Sequence, residues 1–480
     1  HMPSDTRYSL ATAQSICSGS LSIRPSENLP HLSKGTHERF YSKYGPGYAM
    51  LFVPSAIVAN CFSKYTTFNT SQLHQVIASF TNTFIAALCT MVIMAIMRKF
   101  GFRTKNILFS TALIAACSLL LPYSKINHSE LPTTLFLLNF ALTWYDCEKL
   151  TLKEGLCLGF IMAALLLLKI GNAVSVAIIG ACCLYQILTG RYTKSGAFTA
   201  FFLPIVTVLF LILLNQYRFG TVLNFGYGME QRMFTAPLQS GLPGLLLSPS
   251  KSMFIFSPLL ILAVAGFFNA ISKKKRFHIT IITLLVSNLL FYSSWHDWHG
   301  GWSWGPRLIV PVIIVMHLYL PYFFHTFRFW SKGLFQIMKS TAVTGLILFS
   351  LIINILGSLI WYQQIYYFHE NYYTMKSSHP VIAYKLLLHK IANKAEVYDC
   401  SELNRDCRQP PYTTIWNSIT QNDTISFKSF ETFQGFSTFW GILRARSGSN
   451  IYLLFPLLLA GLSLLFMRKY LLPESDDSFT

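Results

Sequence analysis

Charged residues are scarce in this sequence of 480 residues. Only 12% of them are Asp, Glu, Lys or Arg, whereas a soluble domain carries about 25%. Hydrophobic residues make up 52% of the chain and aromatic residues 15%. Because lipid leaves backbone polar groups without water, segments of this composition are expected to satisfy those groups within helices. The sequence therefore predicts an all-α polytopic membrane protein.

Other signals are also missing. None of the ten cysteines falls in a zinc-binding spacing, and most lie in apolar runs, where a thiol behaves as a small hydrophobe. The absence of an internal repeat argues against a transporter built from duplicated halves. No signal peptide or apolar helix opens the chain, and His1 and Met2 look like cloning remnants. We therefore expect the natural N-terminus to lie upstream.

The formal net charge of +19 would suit a nucleic-acid partner if it were concentrated on one surface. Instead many Lys and Arg residues fall in one set of short loops, which alternates along the chain with a second set. By the positive-inside rule these loops are cytoplasmic, so the expected partners are membrane lipids and not nucleic acid. The apolar runs predict eleven helices, near residues 73–97, 106–122, 131–146, 154–170, 171–189, 197–216, 253–271, 278–294, 308–325, 341–361 and 450–467.

The remaining loops are rich in Tyr, Trp, Gly, Pro and Ser and are predicted to face outward. They are 123–130, 217–252, 295–307 and 362–449. We divide the chain into a first extracytoplasmic loop with interface helices, a transmembrane bundle, an extracytoplasmic segment, and a last transmembrane helix with a cytoplasmic tail. The corresponding ranges are 1–72, 73–361, 362–449 and 450–480.

One segment, 45–63, has two interpretations. It is long enough to span a bilayer, but it opens with Gly45, Pro46 and Gly47 and contains Pro54. These residues favour a piece that only dips into the outer interface. In that case the preceding residues also face outward.

The outward loops contain the groups that transfer from a lipid-linked sugar phosphate requires. A carboxylate must accept the proton of the acceptor hydroxyl, and cations must hold the departing phosphate. Asp5 is the candidate base, although its position also suits a helix N-cap. Lys43 lies beside Gly45-Pro46-Gly47 and can meet a phosphate, or it can be an ordinary snorkelling lysine. Neighbouring Tyr44 is assigned to the same phosphate-binding set.

Further candidates lie in later loops. Arg307 stands where a loop enters a helix, so its guanidinium suits a phosphate or anchors the chain at the membrane boundary. Lys125 and Glu130 can orient the acceptor or pair with each other, and Glu130 can equally cap the next helix. Lys169 ends an apolar run, and an intramembrane charge of this kind indicates either a functional role or snorkelling.

A metal site is the less favoured interpretation of His296, Asp297 and His299. These residues are closely spaced and flanked by tryptophans, which is more typical of a hydrogen-bonded interface loop than of a closed metal site. No Asp-x-Asp motif occurs in the first loop. We therefore expect no required cofactor; a divalent metal is possible but not indicated.

Four strings carry a resemblance to a known family. They are YSKYGPGYAMLFVP, PYSKINHSE, NFGYG followed by GLPGLLLSPSKSMFIFSPLL, and WHGGWSWGPRLIVPV. In this order they resemble bacterial members of the GT-C glycosyltransferase superfamily. The similarity is to the phospholipid-carrier-dependent branch, which is related to protein O-mannosyltransferases and lipid A aminoarabinose transferases. It runs from Asp5 to Pro311 and then fades.

The resemblance implies a GT-C type helical bundle whose first outer loop carries interface helices and the catalytic Asp. Asp5 matches that Asp, Lys43 matches a lysine near the carrier phosphate, and Glu130 falls where relatives place another acidic residue. Under this interpretation 45–63 does not span. The family has a helix before the catalytic Asp that this sequence lacks, and some relatives have a paired acidic motif where this chain has one Asp.

These observations predict an inverting glycosyltransferase in the bacterial inner membrane, with its active site facing outward. It would move a sugar from a polyprenyl-phosphate carrier to a hydroxyl of a glycan, lipid or protein acceptor. The alternative is a transporter or flippase for a lipid-linked saccharide, which would more often carry charges and broken helices at the bilayer midplane. A polymerase or ligase that uses diphosphate-linked glycans is a third interpretation.

Overall fold

A computed structural model describes residues 4–25, 29, 32–65, 70–227, 234–272, 274–327, 333–360, 365, 372–376 and 378–391. The chain divides into two compact units, His1–Asn354 and Ile355–Thr480. The described residues are overwhelmingly helical, with a single two-stranded hairpin. The predicted all-α class is therefore confirmed.

The N-terminal part of the first unit is built from short elements. Its helices are α1 (Ser4–Cys17), α2 (Pro46–Met50), α3 (Val53–Phe62) and α4 (Thr70–Ala78). Strands β1 (Ser33–Lys34) and β2 (Phe40–Tyr41) pair antiparallel, with Ser33 opposite Tyr41. On α1, Leu10 and Ala13 pack into a buried apolar cluster whose other members are Tyr48, Phe52, Ala78 and Leu168.

The rest of the first unit is a bundle of longer helices and their connections. Its helices are α5 (Thr81–Lys99), α6 (Thr104–Cys117), α7 (Leu120–Lys125), α8 (Glu130–Tyr145), α9 (Leu152–Leu168), α10 (Ala173–Leu188), α11 (Lys194–Phe219), α12 (Leu238–Leu247), α13 (Met253–Phe256), α14 (Leu259–Ala270), α15 (Lys275–Ser293), α16 (Val310–Met316), α17 (Leu320–Thr326) and α18 (Leu334–Leu359). The end of α18 belongs to the second unit, whose other described helix is α19 (His379–Ile391).

Among the residues that the structure describes, six helical stretches are long and apolar enough to cross a bilayer. They are Leu73–Lys99, Ile170–Leu188, Lys194–Phe219, Lys275–Ser293, Arg307–Thr326 and Leu334–Leu359. The chain is therefore an integral membrane protein. Each predicted helix up to 341–361 has a counterpart, although 253–271 is divided at Ser257. The predicted helix 450–467 and most of 362–449 lie outside the described residues.

The ambiguous segment 45–63 does not form one continuous helix. It divides into α2 and α3, of 5 and 10 residues. A bilayer requires about 20 helical residues to cross it. The lengths of α2 and α3 agree with the interface interpretation.

Helices α9 and α11 lie very close to each other because glycines line their contact. A Cβ on Gly155 would come 2.2 Å from the carbonyl oxygen of Gly196, and one on Gly159 would come 2.4 Å from that of Thr199. Small residues at this spacing allow helix backbones to approach closely where lipid supplies no hydrophobic driving force.

Helix α8 is buried along much of its length, and polar contacts fasten the helices around it. Trp144 on α8 donates to the hydroxyl of Thr280 on α15 at 3.1 Å, and Asn172 donates to the hydroxyl of Thr133 at 3.2 Å. Ser175 and Asn288 form a further buried pair. Interhelical hydrogen bonds of this kind fix the register of helices in lipid.

Candidate active site

Asp5 lies in the first turn of α1 and uses its side chain for tertiary contacts. Its Oδ2 accepts a hydrogen bond and ion pair from Nη2 of Arg307. Its Oδ1 accepts a hydrogen bond from the hydroxyl of Tyr44 at 2.7 Å. The neighbouring Thr6 donates to the carbonyl of Asn127, which ties α1 to the loop before α8. Both carboxylate oxygens of Asp5 are therefore held by residues far away in sequence.

Lys43 and Tyr44 follow β2, and they place a cation next to the aromatic ring whose hydroxyl contacts Asp5. The Nζ of Lys43 lies 5.9 Å from the ring centroid of Tyr44 and 5.2 Å from that of Tyr227. The guanidinium of Arg218 donates to the carbonyl of Ser42 at 3.2 Å and so fixes the backbone just before Lys43. The aromatic rings around the Lys43 ammonium attract it without neutralising its charge.

Arg307 joins Asp5 to a second carboxylate. Its Nε donates to Oε1 of Glu130 at 3.1 Å, and the Nζ of Lys169 reaches the same oxygen at 3.3 Å. Glu130 is only 3% exposed and Arg307 12%. We call Asp5, Glu130, Lys169 and Arg307 the four-charge cluster. Two carboxylates and two cations alternate within it, so its formal charge is zero.

The loop before Arg307 is held by a buried lysine that sequence reasoning did not single out. The Nζ of Lys251 donates to the carbonyls of Gly301, Ser303 and Gly305 at 3.2, 3.1 and 3.1 Å, and it also contacts the Ser303 hydroxyl. Gly305 has a positive φ of 65°, and a Cβ there would lie 2.8 Å from the ring of Phe256. Lys251 and Gly305 together fix the path that leads into Arg307.

Two asparagines hold the loop that precedes Glu130. The side-chain amide of Asn82 donates to the carbonyls of Ile126 and His128 at 2.7 and 3.0 Å. That of Asn127 donates back to the carbonyl of Ala78 at 2.7 Å. These bonds anchor the start of α8 to α4 and α5. Glu130 occupies the first turn of α8, where the helix dipole favours a negative charge.

The electrostatics of the site keep Asp5 ionised. Burial raises the pKa of the Asp5 carboxyl, but the positive charge of Arg307 and the hydrogen bond from Tyr44 outweigh burial and hold that pKa well below its usual range. Burial and then Asp5 itself raise the pKa of Tyr44, which therefore remains a hydrogen-bond donor. Burial, followed by Arg307, lowers the pKa of the nearby His128 to about 3, so this imidazole is neutral.

The other predicted residues are Lys125 and the loop residues His296, Asp297 and His299. Lys125 ends α7 and is half-buried, while Glu130, its suggested partner, pairs with Lys169 and Arg307. Asp297 Oδ1 lies 2.8 Å from His299 Nδ1 and accepts from the amide of Gly301 at 3.0 Å. Among the described residues no group of three His, Cys, Asp or Glu side chains is arranged to hold a metal ion.

The structure thus brings Asp5, Tyr44, Glu130 and Arg307 into direct contact and places Lys43 beside Tyr44. Lys169 was recognised from the sequence as an unusual charge, and its pairing with Glu130 explains its position. Nothing in the local pattern indicated Lys251, Asn82 or Asn127, because their partners are backbone carbonyls. Chemically, the arrangement offers the ionised carboxylate of Asp5 in contact with the cation of Arg307. The ammonium of Lys43 lies nearby, over the aromatic rings of Tyr44 and Tyr227.

The chain matches no family model and no curated protein sequence. The chain is similar to the structure of ArnT from Cupriavidus metallidurans bound to undecaprenyl phosphate, with a TM-score of 0.48 and 14% identity over 81% of this chain and 72% of ArnT. It is also similar to the structure of the archaeal oligosaccharyltransferase AglB from Archaeoglobus fulgidus in complex with an inhibitory peptide and a dolichol-phosphate. That similarity has a TM-score of 0.42 and 11% identity, and it covers 85% of this chain and 56% of AglB.

Proposed function

We propose that this protein is an inverting glycosyltransferase that takes a sugar from a polyprenyl-phosphate carrier at the outer face of the bacterial inner membrane. The observation that carries the proposal is the contact of one ionised carboxylate, Asp5, with Arg307 and Tyr44, beside the ammonium of Lys43. A base and two cations that lie together meet the requirements of this transfer.

In the proposed reaction Asp5 accepts the proton of an acceptor hydroxyl. The hydroxyl oxygen forms a bond to the anomeric carbon while the bond between that carbon and the phosphate oxygen breaks. The polyprenyl phosphate leaves with the electron pair, and its negative charge is stabilised by Arg307 and Lys43, with Lys125 as a further candidate. Since a phosphate leaves without a proton, no second carboxylate is needed as an acid.

No divalent metal is assigned a role in this scheme. Arg307 and Lys169 already neutralise the carboxylates of Asp5 and Glu130, to which a metal cation would otherwise bind.

The test is an assay with the purified protein reconstituted into sealed lipid vesicles. Radiolabelled polyprenyl-phosphate sugars are incubated with a membrane extract that supplies acceptors, and released polyprenyl phosphate and the anomeric configuration of the product are measured. We expect release of carrier with inversion, undiminished by a chelator. Movement of intact donor across the bilayer without cleavage would instead establish the flippase alternative, and retention of configuration would refute the inverting mechanism.

A further inference from the structure

Glu130 makes contacts that its earlier interpretations as a cap or acceptor ligand do not explain. Its Oε1 receives both Arg307 and Lys169, while its Oε2 is buried and accepts no hydrogen bond among the described residues. A carboxylate this deeply buried is stable only when it is paired. The negative charge of Glu130 therefore holds Arg307 and Lys169 in place.

Arg307 is held by its Nε edge and retains donors for a third group. A guanidinium has five N–H donors in a fixed fork. Glu130 takes the Nε hydrogen and Asp5 takes one from Nη2. Within the described part of the chain no contact involves Nη1, so this end is available for a further anion, such as the phosphate of a donor. Such a phosphate and Asp5 would then draw on the same positive charge.

This sharing matters because Asp5 is a weak base while Arg307 is paired with it. An opposite charge in contact stabilises the ionised carboxylate and reduces its tendency to take up a proton. A donor phosphate that draws on Arg307 would loosen that hold and strengthen the base. The guanidinium can be shared in this way only if something else fixes its position, and Glu130 supplies that fixed point.

We propose that Glu130, charge-balanced by Lys169, is the positioning residue that anchors Arg307 while Asp5 and the donor phosphate compete for it. This proposal rests on the proposed function, since it assumes a phosphate-bearing donor. It assigns Glu130 no contact with the sugar or the phosphate. Binding of the donor would then activate the base before the acceptor reacts.

The test uses undecaprenyl phosphate as the probe, with affinities measured for the full-length protein in nanodiscs. Asp5→Asn removes the competitor for Arg307, so binding should become roughly tenfold tighter. Glu130→Gln removes the same negative charge but weakens the anchor, so binding should become weaker by a similar factor. Glu130→Asp keeps the charge and withdraws the carboxylate by one methylene, so it should also weaken binding.

Simple charge repulsion predicts a different pattern. It requires Glu130→Gln to tighten binding as Asp5→Asn does, and it requires Glu130→Asp to leave binding unchanged; either result would overturn the positioning role. If Glu130→Gln fails to fold, as judged by its thermal unfolding midpoint, the Glu130→Asp comparison decides alone.

A double-mutant cycle isolates the shared cation. The gain from Asp5→Asn should vanish in an Arg307→Ala background, because no guanidinium is then left to be released; persistence of the full gain would refute competition for Arg307. A wild-type protein that neither binds undecaprenyl phosphate nor transfers sugar would instead remove the proposed function itself. The two failures are therefore distinguishable.

Discussion

The two ends of helix α8 place acidic residues in very different surroundings. At its start, Glu130 is buried and paired with Arg307 and Lys169. Just after its end, about 24 Å away by helix geometry, Asp146 pairs with Lys99 at 2.8 Å, and their side chains are 51% and 38% exposed. Both ends contain acid–base pairs, but the pairs at the start of the helix are far less exposed to water than the pair at its end.

The difference shows why contact distance alone does not identify a functional site. An exposed pair is worth roughly 0–1 kcal/mol, since water and salt screen it. Breaking a buried pair leaves a charge without solvation, which destabilises by about 3–5 kcal/mol. The four-charge cluster is therefore maintained against a large desolvation penalty, as is typical of sites where charge serves chemistry.

The largest contrast between the two ends should be in catalysis. Asp5→Asn removes the proposed base and should lower sugar transfer by about 10²–10⁴-fold. Asp146→Asn makes the same chemical change in the exposed pair and should leave transfer within about twofold of wild type. Both variants are compared in the radiolabelled transfer assay. Near-normal turnover by Asp5→Asn would rule out Asp5 as the base.

The next contrast should be in stability. Arg307→Ala leaves Asp5 and Glu130 facing each other without their shared cation and should destabilise the protein by about 3–5 kcal/mol. Lys99→Ala should cost less than about 1 kcal/mol. Unfolding midpoints in the same detergent provide the comparison. Equal losses in the two variants would mean that the buried cluster is as well solvated as the exposed pair.

The smallest effect should be on the pH profile. Because the pKa of Asp5 lies below its ordinary value of 3.8, the base stays deprotonated as the pH falls from neutrality towards that value. The acid limb of kcat/KM should therefore lie below this pH. Tyr44→Phe removes one hydrogen bond that lowers this pKa, and the limb should move upward by up to about one pH unit. An acid limb near neutral pH in the wild type would indicate a different base.

Much of the fold follows from the sequence because hydrophobic runs and loop charges are local properties. Helices such as α11 and α15 stand close to the apolar runs that predicted them. The division of 253–271 at Ser257 was missed, because the apolar run there continues through the break. Helix α12 was also missed, since it is short and lies within the predicted loop 217–252. The predicted helix 106–122 ends earlier, at Cys117, and its last residues begin the separate helix α7.

The candidate site was predictable in its members but not in its pairings. Asp5, Lys43, Glu130 and Arg307 were expected on one side of the membrane because their loops alternate with the basic ones. Lys125 stood closest in sequence to Glu130, yet Glu130 pairs with Lys169 and Arg307. Which cation reaches a buried carboxylate depends on helix packing across many residues, and the local pattern does not contain that information.

The sequence by itself determined that this chain spans a membrane in helices and carries a small set of charges among its aromatic loops, since lipid sorts residues by hydrophobicity one segment at a time. Only the tertiary structure decided that Arg307 lies between Asp5 and Glu130, and that Lys251 holds the loop leading to it. Those contacts join residues far apart in the chain. They exist because packed helices bring the loops together and exclude the water that would otherwise compete for each charge.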